Sequence, residues 1–186
     1  MKALLISDQE YLTTTYQGLY DLTDKFLKEN EFQTELIELK AENLTFCMGC
    51  FGCWIKKPGE CVINDQMTQI NQRVMNSDIV IYLSPIVFGQ FSPNIKNVID
   101  RGLPNMLPFF ETRPDGSTMH PPRYKTYPCQ IIIGYGDGLS DQDQQLFIDV
   151  TKKHRRNIDV LIYPEPSQTI IQSLNTMELR RVGGLL

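Results

Sequence analysis

Short apolar runs alternate with longer segments of helical spacing along this chain, and this alternation restricts its fold more than any other feature. The runs are rich in Val, Ile, Leu and Tyr, and polar or glycine-containing residues follow them. Strands that alternate with helices form βαβ units, in which a parallel sheet is covered by helices on both faces. The predicted strands are Lys2–Ile6, Thr34–Leu39, Asp78–Leu83, Cys129–Ile133 and Ile158–Tyr163.

Between these runs, apolar residues recur every three or four positions, which predicts amphipathic helices. One of the helices has a favourable start, because Ser92 suits the N-cap and Pro93 suits the first helical position. A weaker helical pattern follows the last strand. The predicted helices are Thr15–Glu29, Asp65–Asn76, Ser92–Arg101, Ser140–Arg156 and Ile170–Arg180.

Five such strands, joined by right-handed crossovers, predict an α/β fold of the flavodoxin-like type. This is a three-layer sandwich with a five-stranded parallel sheet in the order 2-1-3-4-5. We expect residues 1–186 to form one domain, with a Cys-rich loop at 47–61 and an irregular, Pro-rich loop at 104–126. Ligands of such sheets bind beyond the carboxyl ends of the strands, next to strands 1 and 3. The loops at this edge are 7–15, 84–92 and 134–138.

Composition and charge exclude several classes of function. The chain has 18 Lys and Arg against 22 Asp and Glu, a net charge of −4, whereas a general nucleic-acid binder needs a basic surface. Its apolar runs are shorter than the roughly 18–20 residues of a membrane span. Residues Met1–Ile6 lead directly into a polar loop and do not resemble a signal peptide. We therefore expect neither nucleic acid nor membrane as a partner, and a cytoplasmic location in which cysteines stay reduced.

Residues 84–101 carry the most specific motif of the chain, SPIVFGQFSPNIKNVIDR. This segment resembles the S-P-x-Y-x-x-x-x-S-x-x-x-K-x-x-x-D-R pattern of the NAD(P)H-dependent FMN reductase and iron–sulfur flavoprotein group. The order of elements is similar over most of the chain, although Val87 stands where that group usually has Tyr. The resemblance implies that backbone amides and an apolar face of this segment contact the isoalloxazine ring of FMN. The residues concerned are Pro85, Ile86, Val87, Phe88, Gly89 and Gln90.

The same resemblance implies roles for two further loops. In the family, the first loop holds the FMN phosphate with an Arg, hydroxyl groups and a helix N-terminus. Here Gln9 replaces the Arg and Leu12 replaces a Gly, while Asp8 and Glu10 add negative charge that we expect to weaken phosphate binding. The hydroxyl residues that align with this loop are Ser7, Thr13, Thr14 and Thr15. The residues that would line the pyrimidine end of the flavin are Gly134, Tyr135 and Gly136.

Four of the five cysteines form a C-x2-C-x2-C-x7-C motif in the Cys-rich loop. The motif resembles that of iron–sulfur flavoproteins, in which four thiolates hold a [4Fe–4S] cluster, and four thiolates also suit Zn²⁺. In a third interpretation the thiols are unligated and the loop is a lid over the flavin edge. We expect the protein purified in air to carry no cluster. The candidate ligands are Cys47, Cys50, Cys53 and Cys61, whereas Cys129 starts a strand and is expected in the core.

Together these features predict an FMN-dependent NAD(P)H oxidoreductase that passes electrons through the flavin to a quinone, a flavin or another small acceptor. No catalytic side chain is assigned, because the flavin supplies the redox chemistry. One alternative is an electron carrier with FMN and a [4Fe–4S] cluster, and another is a flavodoxin-like protein that has lost its flavin. Apolar residues in the two long loops predict self-association as a homodimer or homotetramer.

Overall fold

The computed structural model describes residues 1–154, 158–163 and 170–176. Its strands are β1 (Lys2–Asp8), β2 (Gln33–Leu39), β3 (Ile79–Val87), β4 (Gln90–Phe91), β5 (Glu111–Thr112), β6 (Thr118–Met119), β7 (Cys129–Tyr135) and β8 (Asp159–Tyr163). Five of them form a parallel sheet in the order β2-β1-β3-β7-β8. Numbered among the parallel strands alone, this is the order 2-1-3-4-5, so the predicted flavodoxin-like topology is confirmed.

Helices cover both faces of this sheet. They are α1 (Thr14–Glu29), α2 (Gly52–Ile55), α3 (Met67–Met75), α4 (Pro93–Asp100), α5 (Asp141–His154) and α6 (170–176). Successive residues of a strand point to opposite faces, so neighbouring residues of β1 belong to different cores. Leu5 shares a core with Leu19 of α1, whereas Leu4 shares the other core with Ile95 of α4. Helices α1 and α6 form one outer layer, and α3, α4 and α5 form the other.

Strand β3 is longer than the sequence predicted. The predicted strand Asp78–Leu83 ends before the Ser-Pro pair, but β3 continues to Val87 and then turns back into β4. Pro85 is tolerated because it lies beyond Leu83, the last β3 residue paired with β1, so its missing N–H leaves no gap in that ladder. The predicted loop 84–92 is therefore largely a strand extension and a hairpin.

Strands β1 and β7 also run further toward the carboxyl edge than predicted. Gly134 and Tyr135 were expected in a loop, but they are buried strand residues that pair with both β3 and β8. Ser7 and Asp8 likewise continue β1 and are fully buried. The ends of β1 and β7 are determined by pairing with neighbouring strands, so the local apolar pattern of each strand cannot predict them.

The remaining differences concern the chain after α4. The loop at 104–126, predicted to be irregular, contains the β5–β6 hairpin, and a 3₁₀-helix, Leu103–Asn105, leads into it. The predicted ends of the last two helices lie partly outside the described residues, which stop at 154 for α5 and at 176 for α6. No helix among the described residues is long and apolar enough to cross a membrane.

Candidate functional site

The loops after β1, β3 and β7 meet at the carboxyl edge of the sheet, and polar contacts join them. Asp8, at the end of β1, accepts hydrogen bonds from the Ser92 hydroxyl at 2.6 Å and from the Asn94 amide at 2.9 Å, both at the start of α4. The Tyr135 hydroxyl of β7 donates to the carbonyl of Tyr11 at 3.0 Å. The first loop is thus tied to both of the others, at the position where this fold binds ligands.

Asp8 is a structural tie between β1 and α4. Its buried carboxylate also accepts from the backbone N–H of Glu10 at 3.1 Å, so three donors compensate the cost of burying the charge. Ser92 occupies the N-cap position of α4, as predicted, but its hydroxyl donates to Asp8 and makes no capping hydrogen bond with the helix. The positive end of the α4 dipole favours this carboxylate as well.

The N-terminus of α1 supplies hydrogen-bond donors in the first loop. Thr13 is the N-cap, and its hydroxyl oxygen accepts from the backbone N–H of Tyr16 at 3.2 Å. Thr14 and Thr15 occupy the first two helical positions, where backbone N–H groups have no acceptor within the helix. The side-chain oxygen of Gln9 is buried and has no hydrogen-bond partner among the described residues. The backbone N–H groups and hydroxyls of Thr14 and Thr15 fit an anionic ligand group such as the phosphate of FMN, whereas the Gln9 oxygen is an acceptor and adds no donor for it.

Ser7, by contrast, is not available to a ligand. It is fully buried, and its hydroxyl oxygen accepts from the Tyr16 hydroxyl at 3.3 Å.

Two exposed carboxylates differ in their relation to this helix N-terminus. The hydroxyl of Thr15 donates to the carboxylate of Asp137, in the loop after β7. Glu10 instead accepts from the backbone N–H of Ala41 at 3.4 Å, in the 3₁₀-helix that follows β2. Asp8 and Glu10 stand out in the sequence of the first loop, whereas Asp137 does not, because a contact across 122 residues leaves no local pattern.

The hairpin between β3 and β4 forms a second part of the site. Its two turn residues both have positive φ, 50° at Phe88 and 70° at Gly89, as in the tight turns that suit hairpin twist. A Cβ atom at Gly89 would lie 2.7 Å from the Leu146 side chain of α5, so this glycine is required by the turn and by packing. Phe88 points into solvent with 90% of its surface exposed.

Burial divides the predicted flavin-contacting residues into two groups. Those with accessible surface are Thr13, Thr14, Thr15, Val87, Phe88, Gln90 and Gly136. Those that are buried are Ser7, Pro85, Ile86, Gly89, Gly134 and Tyr135. Gly134 serves core packing, because a Cβ there would lie 2.7 Å from the Phe147 ring and 2.8 Å from Ile86.

The four cysteines of the Cys-rich loop influence one another electrostatically. Burial raises the pKa of the Cys53 thiol, and charge on Cys61, Cys47 and Cys50 raises it further, so the other three thiols lie within electrostatic range of Cys53. All four are free thiols. Among the described residues, however, no three Cys, His, Asp or Glu side chains are placed to hold a metal ion. The loop therefore supplies four possible ligands, but they are not arranged as a preformed metal site. Cys129 lies outside the loop and packs against the core, as expected.

Arg101 anchors the Cys-rich loop to the end of α4. Its buried guanidinium pairs with both carboxylate oxygens of Asp65, with Nη2 at 2.9 Å from Oδ1. It also donates to the Thr45 carbonyl at 2.8 Å and to the Cys61 sulfur at 3.2 Å. Burial lowers the pKa of Arg101, but the hydrogen bonds with Asp65 and Cys61 outweigh it and raise the pKa. A fixed positive charge therefore lies beside one of the four sulfurs.

Trp54 joins the Cys-rich loop to the loop at 104–126. Its indole N–H donates to the Met106 carbonyl at 3.0 Å, and its ring stacks on Phe51 with centroids 5.5 Å apart. The His120 ring lies tilted against it, with the two centroids 4.7 Å apart. The two long loops are thus packed together.

Residues 1–114 match the family described as NADPH-dependent FMN reductase. An iron–sulfur flavoprotein of Archaeoglobus fulgidus is 35% identical over 92 residues, which is 48% of this chain and 41% of that protein. The alignment thus spans about two fifths of the length of that curated relative.

Solved structures of the same fold cover nearly the whole chain. An azoreductase from Bacillus anthracis has a TM-score of 0.62 at 12% identity, over 93% of this chain and 94% of its own. An NAD(P)H:quinone oxidoreductase from Methanothermobacter marburgensis has a TM-score of 0.61 at 12% identity, over 98% and 95% of the two chains. At 12% identity, the similarity to these structures establishes the flavodoxin-like fold of this chain and nothing beyond the fold.

Proposed function

The chain belongs to the NADPH-dependent FMN reductase family, and from this premise we propose that it is an FMN-dependent oxidoreductase. It would take reducing equivalents from NAD(P)H and pass them to a small acceptor, such as a quinone, an azo compound or a free flavin. The observation that carries the proposal is the meeting of three loops at one edge of the sheet, next to the donor-rich N-terminus of α1.

Different residues at this edge would bind different parts of the cofactor. When bound, FMN supplies the redox chemistry, and the protein binds and orients it. Thr14 and Thr15 would donate backbone N–H groups to the phosphate, with the Thr13 and Thr14 side chains beside them. The β3–β4 hairpin would contact the ring through its backbone and through the exposed ring of Phe88.

A flavin titration combined with a turnover assay tests this function. We expect about one FMN to bind per chain and NADH or NADPH oxidation to depend on added FMN and an acceptor. A chain that binds FMN but oxidises neither nucleotide would contradict the enzymatic part of the proposal. A chain that binds no flavin would support the alternative in which the flavin site has been lost.

A second candidate function is that of an iron–sulfur flavoprotein electron carrier. It is favoured by the electrostatic influence of the other three thiols on Cys53 and by the fixed charge of Arg101 beside Cys61. The names of the curated relatives agree with this candidate. In it, the four thiolates of the Cys-rich loop would bind the cluster, and Arg101 would offset part of their negative charge.

Iron analysis separates the two candidates. We expect protein purified in air to show flavin absorbance without the broad absorbance of a cluster. Anaerobic purification that yields about four irons per chain would establish the second candidate if each Cys→Ser change in the loop abolished iron binding. Cys129→Ser is the matched control, because Cys129 lies outside the loop and packs against the core.

A further inference from the structure

The three loops of the candidate flavin site carry only negative charge. Their sequences, 7–15, 84–92 and 134–138, contain no Lys or Arg, but they contain Asp8, Glu10 and Asp137. From these three loops, a phosphate would receive backbone and hydroxyl donors but no cationic side chain. The cofactor phosphate is a dianion for most molecules at neutral pH, since the second pKa of a phosphomonoester is about 6.

Of the three carboxylates, Asp137 is the one in contact with the α1 N-terminus. Asp8 is compensated by the start of α4, and Glu10 accepts from Ala41. Asp137 instead accepts from the hydroxyl of Thr15, the second residue of the helix. The positive end of a helix dipole stabilises an anion, and here the protein provides that anion itself.

A carboxylate beside the α1 N-terminus lowers the affinity for FMN but not the affinity for riboflavin. FMN and riboflavin share the isoalloxazine ring and the ribityl chain and differ by the phosphate. Even at the dielectric of bulk water, a carboxylate charge about 5 Å from a phosphate dianion repels it enough to cost roughly tenfold in affinity. Riboflavin has no such charge and escapes the repulsion.

We propose that Asp137 determines the flavin specificity of this site, by reducing the preference for phosphorylated flavin so that riboflavin and FMN bind with similar affinity. The inference rests on the proposed function, because it requires the three loops to bind the flavin ring. Within the site, the β3–β4 hairpin would then contribute more to flavin affinity than the α1 N-terminus does.

Fluorescence titrations with FMN and with riboflavin, on the wild type and on Asp137→Asn, test the proposal. For the wild type we expect the two dissociation constants to agree within about threefold, and for Asp137→Asn we expect FMN to bind roughly tenfold more tightly. Riboflavin affinity should stay unchanged, and salt should diminish the gain for FMN. Asn keeps an acceptor for Thr15, so the loop contact survives the substitution.

Asp149→Asn is the matched control. Asp149 is an exposed residue of α5 whose carboxylate accepts from the Gln145 amide at 2.9 Å, and its neutralisation should alter neither affinity. The proposal is overturned if the wild type binds FMN about a hundredfold more tightly than riboflavin, or if Asp137→Asn leaves FMN affinity unchanged or shifts both affinities equally. Failure of both flavins to bind the wild type would contradict the proposed function and this inference together, whereas the other outcomes overturn the inference alone.

Discussion

Phe88 combines an unfavourable backbone conformation with a side chain that buries almost nothing. Its φ of 50° lies in the left-handed region, which costs a bulky residue about 1–2 kcal/mol, and 90% of its surface is exposed. Phe51 also has a positive φ, but its ring stacks on Trp54. The hairpin turn accounts for the positive φ, but packing does not explain why a Phe stands at this position, so we propose that its exposed ring contacts a ligand.

Phe88→Asn should therefore change stability and binding in opposite directions. Asn-Gly is a strongly preferred pair for such a hairpin turn, so we expect the free energy of unfolding to rise by about 1 kcal/mol. Loss of the aromatic contact should weaken flavin binding roughly threefold to tenfold. Urea unfolding and flavin titration of the same variant measure both effects.

Glu31→Asn is the control, because Glu31 is an exposed residue with a positive φ of 57° outside the three loops, so its replacement should leave flavin affinity unchanged while also relieving backbone strain. Unaltered flavin affinity in Phe88→Asn would show that Phe88 does not contact the ring.

Helix α4 connects the candidate flavin site to the Cys-rich loop. Its start is tied to Asp8 and its end, at Arg101, to Asp65 and Cys61. Eight helical residues span about 12 Å, so the two regions lie roughly that far apart along the helix. Substitution of Asp65, the partner of Arg101 in the ion pair at the end of α4, therefore tests how much this ion pair stabilises the protein.

Asp65→Asn should be strongly destabilising at neutral pH. The substitution leaves the buried guanidinium of Arg101 without its counter-charge, which typically costs about 3–5 kcal/mol. Burial raises the pKa of Asp65, but the Arg101 guanidinium and the backbone N–H groups of Thr45 and Met67 outweigh it and hold the pKa below its ordinary value. The carboxylate thus stabilises the fold fully above the ordinary Asp pKa, and this contribution is lost as the pH falls through the lowered value.

Urea unfolding of both proteins across this acidic range should show the difference in stability shrinking as the pH falls. Asp100→Asn is the control, since Asp100 belongs to an exposed pair with Lys96 and should contribute less than about 1 kcal/mol. A stability difference that stays constant with pH would contradict the assigned role of the Asp65 charge.

Local patterns were sufficient to predict the five parallel strands and their order, because periodicity and the crossover rule are properties of short segments. The strand ends were predicted wrongly where a neighbour decides them. Pro85, for example, stays in β3 because it pairs with Tyr135 of β7. The contact of Thr15 with Asp137 and that of Asp8 with Ser92 join residues 122 and 84 positions apart, and such contacts follow only from the folded chain.

The two long loops together expose an apolar surface that is unusual for a free chain. They are held together by Trp54, and they expose Phe46, Met48, Phe51, Ile55, Phe109 and Phe110. The exposed fraction reaches 78% at Ile55 and 71% at Phe110. We call these six residues the apolar loop surface. Large apolar side chains exposed in this number on two packed loops are typical of protein–protein contacts, and a second copy of this chain is the partner that we propose.

Light scattering at micromolar concentration should therefore give at least the mass of a dimer. The double substitution Ile55→Ser and Phe110→Ser removes large apolar side chains from both loops, and we expect it to shift the mass toward that of one chain. Because both side chains are mostly exposed, the circular dichroism spectrum and the unfolding midpoint should change little. Leu12→Ser alters an exposed apolar residue of the first loop, outside the apolar loop surface, and should leave the mass unchanged. A wild type with the mass of one chain would contradict self-association, and an unchanged mass in the double variant would place the contact on another surface.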